Sequence, residues 1–300
     1  MSGGEGVGGQ FMARRILRYG TASPDSLLAR NSSHMYAHRH ALRIFESNSI
    51  YTMIPKNACS SLRLSIAVAN GVLSGAEDIE WIHLNNTTFA ASLADLMLAR
   101  FTFVVLRCPY ARLASCFLDK FVGNSPETAK YAHALGEQVS IEDLSFRDFC
   151  LSLGEANMLT ANIHWAPQVN FLVYKDYDAY YCVERFGDAI AALPEKAGLP
   201  VIDTRPVTRH GLERFRHRPR SEHYSDATIR DLRKLRELGE CPEPASLYDD
   251  KIISIIQGLY AEDLTLYNEK FPGLSLFAPT SETKKGRIYD LAPRNPLYGT

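Results

Sequence analysis

The sequence predicts an α/β fold in which a mostly parallel sheet is flanked by helices. Two β-rich segments, residues 50–54 and 101–106, are each followed by a polar turn and then by a helical pattern. Strands that alternate with helices are typical of a parallel sheet that is covered on both faces. The second segment is apolar almost throughout, as buried parallel strands are.

Apolar periodicity and turn signals predict the remaining elements in order along the chain. A helix is predicted at 62–68, and after the second strand Pro109 stands at the first position of a helix that continues to Phe121. Ser145 is a typical capping residue for the next helix. The later elements are helices at 146–153, 187–197, 226–238 and 248–271, and short strands at 170–174 and 179–183.

The two ends of the chain are predicted to lie outside one domain at 48–275. Residues 1–11 are rich in glycine and are expected to be disordered. Residues 12–47 are interpreted as an N-terminal leader. Residues 276–300 show no period and are interpreted as a C-terminal arm.

Composition and charge argue against several classes of protein. The 33 lysines and arginines against 34 aspartates and glutamates give a net charge of −1, which is unlike a general nucleic-acid-binding protein. No apolar stretch approaches the ~20 residues of a membrane helix, and the N-terminus lacks the pattern of a signal peptide. The protein is therefore expected in the cytoplasm, with no membrane span and no nucleic-acid partner.

No metal site is expected. The six cysteines are scattered without CxxC pairs, which argues against zinc and is typical of core cysteines in a reducing compartment. His34 and His38 stand four residues apart and would share one face of a helix. Because no third ligand follows nearby, surface structure is favoured over a metal site there.

The turn after the first strand has the chemistry of an anion site. It comprises residues 55–61, PKNACSS, at the predicted start of a helix, where unpaired backbone amides and the helix dipole favour negative charge. Lys56 adds a point charge, and Ser60 and Ser61 add hydroxyl donors. The GxxxxGK[ST] pattern of a Walker A loop is absent. The alternative is that Lys56 is a solvated loop lysine and Ser60 only caps the helix.

The turn after the second strand repeats this arrangement. Arg107 follows the buried strand directly, and Ser115 lies about two helical turns further on. With Arg112, these side chains converge on one anion if the ligand lies along the helix. The alternative is that Arg107 pairs with a carboxylate and Ser115 packs as a small residue. Two such turns suggest a ligand with two separate phosphate groups.

Four segments carry a resemblance to the sulfotransferases. Residues 54–62, IPKNACSSL, resemble their 5′-phosphosulfate loop. Residues 104–121 are similar to the 3′-phosphate motif of the carbohydrate sulfotransferases of the chondroitin and dermatan group, R-x-P-F-x-R-L-x-S-x-(F/Y)-x-x-K-F, with Cys108 in place of an acidic residue. Residues 162–168, NIHWAPQ, resemble the H-W-x-P-Q element, and residues 259–267 resemble the closing helix. The animal members carry an N-terminal membrane helix, so a soluble, bacterial-type member is expected.

The resemblance implies a P-loop-like sulfotransferase fold and a metal-free reaction. The implied donor is 3′-phosphoadenosine 5′-phosphosulfate (PAPS), whose sulfuryl group passes to a hydroxyl of a carbohydrate. Lys56 would neutralise the leaving phosphate, and Arg107 with Ser115 would hold the 3′-phosphate. The implied cofactor-binding residues are Pro55, Lys56, Asn57, Ala58, Cys59, Ser60, Ser61, Arg107 and Ser115.

The acceptor hydroxyl needs a general base, and imidazole is the commonest one. His83 lies between the two phosphate turns, and His164 lies in the H-W-x-P-Q segment, so both are candidate catalytic residues beside Lys56. A carboxylate among Glu77, Asp78 and Glu80 is the alternative.

Three questions about partners stay open. The basic segment 205–220 is a solvated loop, a loop that closes on the nucleotide, or a site for an anionic glycan. A lipid or small-metabolite acceptor, a kinase-like nucleotide-binding protein and a non-catalytic module are the competing functions. The oligomeric state is not indicated by the sequence.

Overall fold

A four-stranded sheet organises the chain. The computed structural model describes residues 15–20, 27–136, 140–204, 212 and 214–278. The strands are β1 (Ala41–Ile44), β2 (Ser49–Thr52), β3 (Phe101–Leu106) and β4 (Ala179–Cys182), in the order β1-β2-β3-β4. The β2–β3 and β3–β4 pairs are parallel, and β1 is an antiparallel edge strand. The predicted α/β class with a mostly parallel sheet is confirmed.

Helices surround this sheet, and a small parallel pair of strands lies apart from it. The α-helices are α1 (Ser32–His38), α2 (Cys59–Ala69), α3 (Trp81–Leu84), α4 (Leu93–Leu98), α5 (Pro109–Cys116), α6 (Pro126–Leu135), α7 (Phe146–Ser152), α8 (Phe186–Ala197), α9 (Ile229–Glu237), α10 (Asp250–Leu259) and α11 (Ala261–Lys270). A π-helix, Phe117–Val122, continues α5. Short 3₁₀ turns are Leu28–Arg30, Ile141–Asp143, Met158–Thr160, Gln168–Phe171, Val183–Arg185 and Pro244–Leu247. The small pair consists of β5 (Arg216–Arg218) and β6 (Glu240–Pro242).

The sheet is buried on both faces because its strands carry apolar residues in both directions. Tyr51 and Phe103 point to one face, where they pack with apolar residues of α2 and α8. Ile50 and Val104 point to the other face, against α5, α10 and α11. Successive residues of a strand alternate between faces, so each strand contributes to both cores. This fixes the ends of β2 and β3, where the two turns that are predicted to bind anions begin.

Two predicted elements are corrected. Residues 170–174 do not form a strand, because the Asp263 carboxylate accepts the amides of Gln168 (2.7 Å) and Val169 (2.9 Å) and stabilises a 3₁₀ turn there. The single helix predicted at 248–271 is two helices, α10 and α11, that meet at Tyr260. Tyr260 donates to the carbonyl of Trp165 (2.6 Å), a contact between distant segments that apolar periodicity does not encode.

The interpretation of residues 12–47 as a leader outside the domain is also corrected. Ala41–Ile44 pairs in register with Ser49–Thr52 and completes the sheet. The apolar pattern of this strand is weak in the sequence, because the strand has only four residues and one of them is Arg43, which forms an ion pair with Asp95. His38 donates from Nε2 to the carbonyl oxygen of Ala91 (2.6 Å). Within the described ranges, no group of three or more His, Cys, Asp or Glu residues is placed to hold a metal ion.

The ends of the chain are only partly described. Residues 1–11 and 279–300, for which disorder and an extended arm are predicted, lie outside the described residues. At the start of the predicted arm, Phe277 packs edge-on against Tyr110 and Tyr248. Across the part of the chain that is described, no helix has the length and apolar character needed to cross a membrane.

Candidate active site

The loop between β2 and α2 is shaped to present backbone amides. Lys56 (φ 73°) and Ala58 (φ 56°) both adopt the left-handed conformation, which is uncommon for residues other than glycine. Helix α2 begins at Cys59, and Ala58 caps it without any side-chain hydrogen bond. The first amides of a helix have no partner within the helix. They are therefore available to an anion, and the anion site at this turn stays a prediction.

The two serines of the loop differ in their contacts. The Ser61 hydroxyl is buried and lies 2.9 Å from the hydroxyl of Thr204. Ser60 is half-buried and lines the cavity described below. The interpretation of Ser60 as a helix cap is wrong, since Ala58 occupies that position.

Asn57 holds the first turn against β3 and Gln168 through its side chain. Its side chain is fully buried, and Nδ2 donates to the carbonyl of Val105 (2.9 Å) and to Oε1 of Gln168 (2.6 Å). It is the one predicted loop residue that does not line the cavity. The same Gln168 oxygen accepts the amide of Arg107 (3.0 Å), and Gln168 Nε2 donates to the Arg107 carbonyl (2.9 Å). Gln168 thus links the two turns.

Arg107 stands at the end of β3 and faces the first turn. Its Nη1 donates to the carbonyl of Lys56 (3.0 Å). Its Nε is buried and has no hydrogen-bond partner among the described residues. An orphaned guanidinium nitrogen at a cavity wall fits an anionic ligand, because an unpaired buried charge is costly. Ser115, two turns into α5, lines the same cavity.

Arg112 does not join Arg107 and Ser115 at one anion. Its guanidinium donates to three backbone carbonyls, those of Pro55 (3.0 Å), Ala166 (2.8 Å) and Ile163 (3.1 Å). The side chain is fully buried, and burial lowers its pKa. Arg112 therefore fastens the first turn to the segment that contains His164.

One cavity of about 610 Å³ brings the predicted site together. Apart from Asn57, every predicted binding and catalytic residue lines it. Its described walls carry both cations and carboxylates. The cations are Lys56, Arg63, Arg107, Lys120, Arg214 and Arg236, and the carboxylates are Asp119, Glu127, Glu184 and Asp203. Sequence reasoning had assigned Lys56 and Arg107 to the site. Local signals for the other charged residues were few: Asp119 and Lys120 stand in the 104–121 segment, and Arg214 stands in the basic segment 205–220.

Lys56 is held by a counter-ion and is not a solvated loop lysine. Its side chain is only 11% exposed, and Nζ lies 2.9 Å from a carboxylate oxygen of Asp119. Asp119 also lies 3.6 Å from Nζ of Lys120, which in turn lies 3.9 Å from Glu127. Asp119 and Lys120 belong to the π-helix, a local widening that is frequent at functional sites.

The π-helix depends on the glycine that follows it. A Cβ at Gly123 would stand 2.0 Å from the carbonyl oxygen of Asp119, so a side chain there would displace the turn.

Both candidate histidines line the cavity, in different surroundings. His83 is exposed on the short helix α3. His164 is half-buried, and its Nδ1 lies 2.7 Å from Oδ1 of Asn162. Burial, followed by the nearby charge of Lys120, holds the pKa of His164 well below its ordinary value.

The predicted carboxylate alternatives do not reach the cavity, whereas Glu127 does. Glu77 instead accepts from the hydroxyl of Ser74 (2.8 Å).

The basic segment is described only in part. Arg214 lines the cavity, while residues 205–211 and 213 lie outside the described residues.

Comparisons with known proteins give consistent relatives. Carbohydrate sulfotransferase 10 of Xenopus laevis is 26% identical over 239 residues, which are 69% of this chain and 67% of that protein. Carbohydrate sulfotransferase 14 of Danio rerio is 25% identical over 208 residues, 59% of this chain and 55% of that protein. Carbohydrate sulfotransferase 10 of Homo sapiens is 25% identical over 258 residues, 75% of this chain and 72% of that protein. No solved structure gives a significant match.

The profile of the Sulfotransferase family matches residues 40–271. The match begins next to β1 and ends just after α11, so it contains the whole four-stranded sheet and both turns that are predicted to bind anions. It covers well over half of the chain, and this chain therefore belongs to the sulfotransferase family.

Proposed function

We propose that this protein transfers the sulfuryl group of PAPS to a hydroxyl group of a carbohydrate. The observation that carries the proposal is the joining of two anion-binding turns in one cavity. The Arg107 guanidinium donates to the carbonyl of Lys56, which ties the second turn to the first, and both residues line the cavity. The names of the relatives support a carbohydrate acceptor.

The residues of both turns fit the two phosphates of this donor. The amides at the start of α2 and the Ser60 hydroxyl would hold the 5′-phosphosulfate. Arg107, whose Nε lacks a partner, and Ser115 would hold the 3′-phosphate that distinguishes this donor from ATP. A cavity of about 610 Å³ lies within the usual ~300–1,000 Å³ of small-molecule sites.

Bound PAPS would supply an activated sulfuryl group, and the chain would supply charge and position. Like phosphoryl transfer, this reaction passes through a loose, in-line transition state in which charge builds on the leaving oxygen. Lys56 lies in the turn that would hold this oxygen, and it would exchange Asp119 for the leaving phosphate. Preorganised cations of this kind act where charge develops.

Calorimetry with nucleotides tests the donor site. We expect 3′-phosphoadenosine 5′-phosphate (PAP) to bind at least about tenfold more tightly than adenosine 5′-phosphate, a ratio that corresponds to ~1.4 kcal/mol. In Arg107→Ala this preference should fall towards one. Arg185→Ala is the matched control, since Arg185 is an arginine near the cavity that does not line it. Equal affinities of the unaltered protein for the two nucleotides would contradict the proposal.

A panel of acceptors with radiolabelled PAPS tests the second substrate. We expect label on oligosaccharides or glycoconjugates and none on lipid or small phenolic hydroxyls. Label on lipids alone would agree with the proposed donor site but would show that the acceptor is a lipid and not a carbohydrate. Transfer of the terminal phosphate of ATP instead would identify a kinase.

A further inference from the structure

The segment around His164 is built to hold one side chain in one orientation. The Asn162 Oδ1 atom lies 3.0 Å from the backbone amide of His164 and 2.7 Å from its Nδ1. A backbone amide can only donate, so the Asn162 atom that it meets is the oxygen and not the amide nitrogen. An oxygen without a hydrogen can accept only, and Nδ1 must therefore carry a hydrogen. The neutral ring then has its lone pair on Nε2.

The backbone on either side of His164 is fixed by buried groups. Arg112 donates to the carbonyls of Ile163 and Ala166, which flank the His164–Trp165 pair. The Trp165 indole donates to Met158 (2.8 Å), and its carbonyl accepts from Tyr260 (2.6 Å). Arg112 also donates to Pro55, the neighbour of Lys56. One guanidinium thus holds the backbone beside His164 and the backbone beside Lys56, the lysine that would face the leaving phosphate.

Charges face His164 from several elements. Lys120 lies on the π-helix, Lys56 in the first turn and Arg112 on α5, and all three disfavour a positive imidazole. Glu127 on α6 favours it. The cations prevail, and with burial they keep the pKa of His164 low in the free protein. A free imidazole of this kind stays neutral, but it is also a weak base.

Resting on the proposed function, we propose that His164 Nε2 is the general base, that Asn162 fixes its tautomer, and that the anionic donor makes it basic on binding. The donor brings phosphate charges beside Lys56, the cation of the first turn. A unit charge ~6 Å away, at an effective dielectric constant of ~20, changes a pKa by about 2. The phosphate charges therefore oppose the cations that suppress protonation, and the base becomes effective only when the nucleotide is bound.

The proton and the bonds balance in this step. The acceptor oxygen forms a bond to sulfur, and its proton passes to Nε2 of His164. The bond between sulfur and the 5′-phosphate oxygen breaks, and the negative charge left on that oxygen faces Lys56. The imidazolium that results is stabilised by Glu127 and later releases its proton to solvent.

His83 differs from His164 in its exposure. It is exposed on a four-residue helix, while His164 is half-buried among the charges of the two turns. Both line the cavity, so His83 is left to contact the acceptor without taking its proton.

Nuclear magnetic resonance of ring-labelled histidines tests the proposal without turnover. We expect the free protein to show the His164 hydrogen on Nδ1, with the signal assigned by its loss in His164→Gln. With saturating PAP, the titration midpoint of His164 should rise by about 2. A hydrogen on Nε2 in the free protein, or a midpoint that stays unchanged while PAP is bound, would overturn the inference. Failure of PAP to bind would instead overturn the proposed function.

Kinetics of matched variants provide a second readout. His164→Ala should lower kcat roughly a hundredfold to ten-thousandfold and remove the acid limb of the pH–rate profile. Asn162→Ala should lower kcat by about tenfold, leave the KM for PAPS unchanged and release the tautomer in the spectrum. His133→Gln, an exposed histidine of α6 outside the cavity, should match the unaltered enzyme. If His83→Ala removes the acid limb and His164→Ala keeps it, the base has been assigned to the wrong histidine.

Discussion

The buried arginine Arg112 gives the sharpest test of how the site is held together. Its three hydrogen bonds reach the carbonyls of Pro55, Ile163 and Ala166. Arg112→Lys keeps the charge, but an ammonium group lacks the planar fork that meets three acceptors at once. We expect the variant to lose two of the three bonds.

The cost of this loss follows from the burial of the site. A hydrogen bond to a charged group contributes about 1.5–3 kcal/mol. Losing two lowers the free energy of unfolding by roughly 3–6 kcal/mol, a large part of the 5–15 kcal/mol that is typical of proteins. Urea denaturation followed by tryptophan fluorescence should show the loss, since Trp165 stands next to Ala166. The expected fall in the urea midpoint is about 1–2 M.

Nucleotide binding by the same variant distinguishes a structural role of Arg112 from a role in binding phosphate. Because Arg112 holds the first turn, which would bind the 5′-phosphate common to both nucleotides, Arg112→Lys should weaken PAP and adenosine 5′-phosphate to a similar degree, whereas Arg107→Ala weakens PAP selectively. Arg39→Lys, an exchange outside the cavity, is the control for arginine replacement as such. An unchanged urea midpoint in Arg112→Lys, with selective loss of PAP binding, would refute the structural role and restore Arg112 as a phosphate ligand.

Three further predictions concern charge. Lys56→Ala should lower kcat by about a hundredfold or more in stopped assays, because a cation that stabilises the transition state is lost. The midpoint of urea denaturation should stay unchanged. Normal turnover in this variant would show that Lys56 has no part in the mechanism. Asp119→Asn removes the counter-ion of Lys56, so calorimetry at low salt should show that PAP binds about fivefold more tightly. Weaker binding would mean that Asp119 orients the lysine. Burial lowers the pKa of His40 to about 4, below its value of ~6.5 in the unfolded chain. The free energy of unfolding should therefore fall by up to about 3 kcal/mol as pH drops from 6.5 to 4. In His40→Gln the free energy of unfolding should depend less on pH, and identical pH dependence in the two proteins would exclude His40 as the cause.

The sequence was sufficient for the parts of the site that lie on contiguous segments. Each phosphate turn follows an apolar strand and precedes a helix, and both signals are local. The start of α2 was predicted three residues late, because Cys59, Ser60 and Ser61 occupy its first turn and carry no apolar period. Arg112 was predicted to bind the ligand because its spacing along α5 is the only indication in the sequence of where its side chain points.

Other features depend on contacts that local patterns cannot encode. Glu127 and Arg236 reach the cavity from α6 and α9, far apart in the chain, and neither belongs to a recognised motif. The break at Tyr260 places that side chain against Trp165, and the buried carboxylate of Asp263 stabilises the turn at Gln168. These are pairings across about a hundred residues, so they appear only when the tertiary structure is known.

The link between the two turns has a consequence for donor selection. Gln168 bonds to the side chain of Asn57 and to both backbone groups of Arg107, and the Arg107 guanidinium bonds to the carbonyl of Lys56. The turns therefore cannot move independently, and the distance between their anion sites is set before any ligand arrives. A ligand that meets a preformed pair of sites loses little free energy to ordering the protein. Selectivity for a nucleotide with phosphates at both positions then follows from the spacing of two rigid sites, in addition to the charge that each one carries.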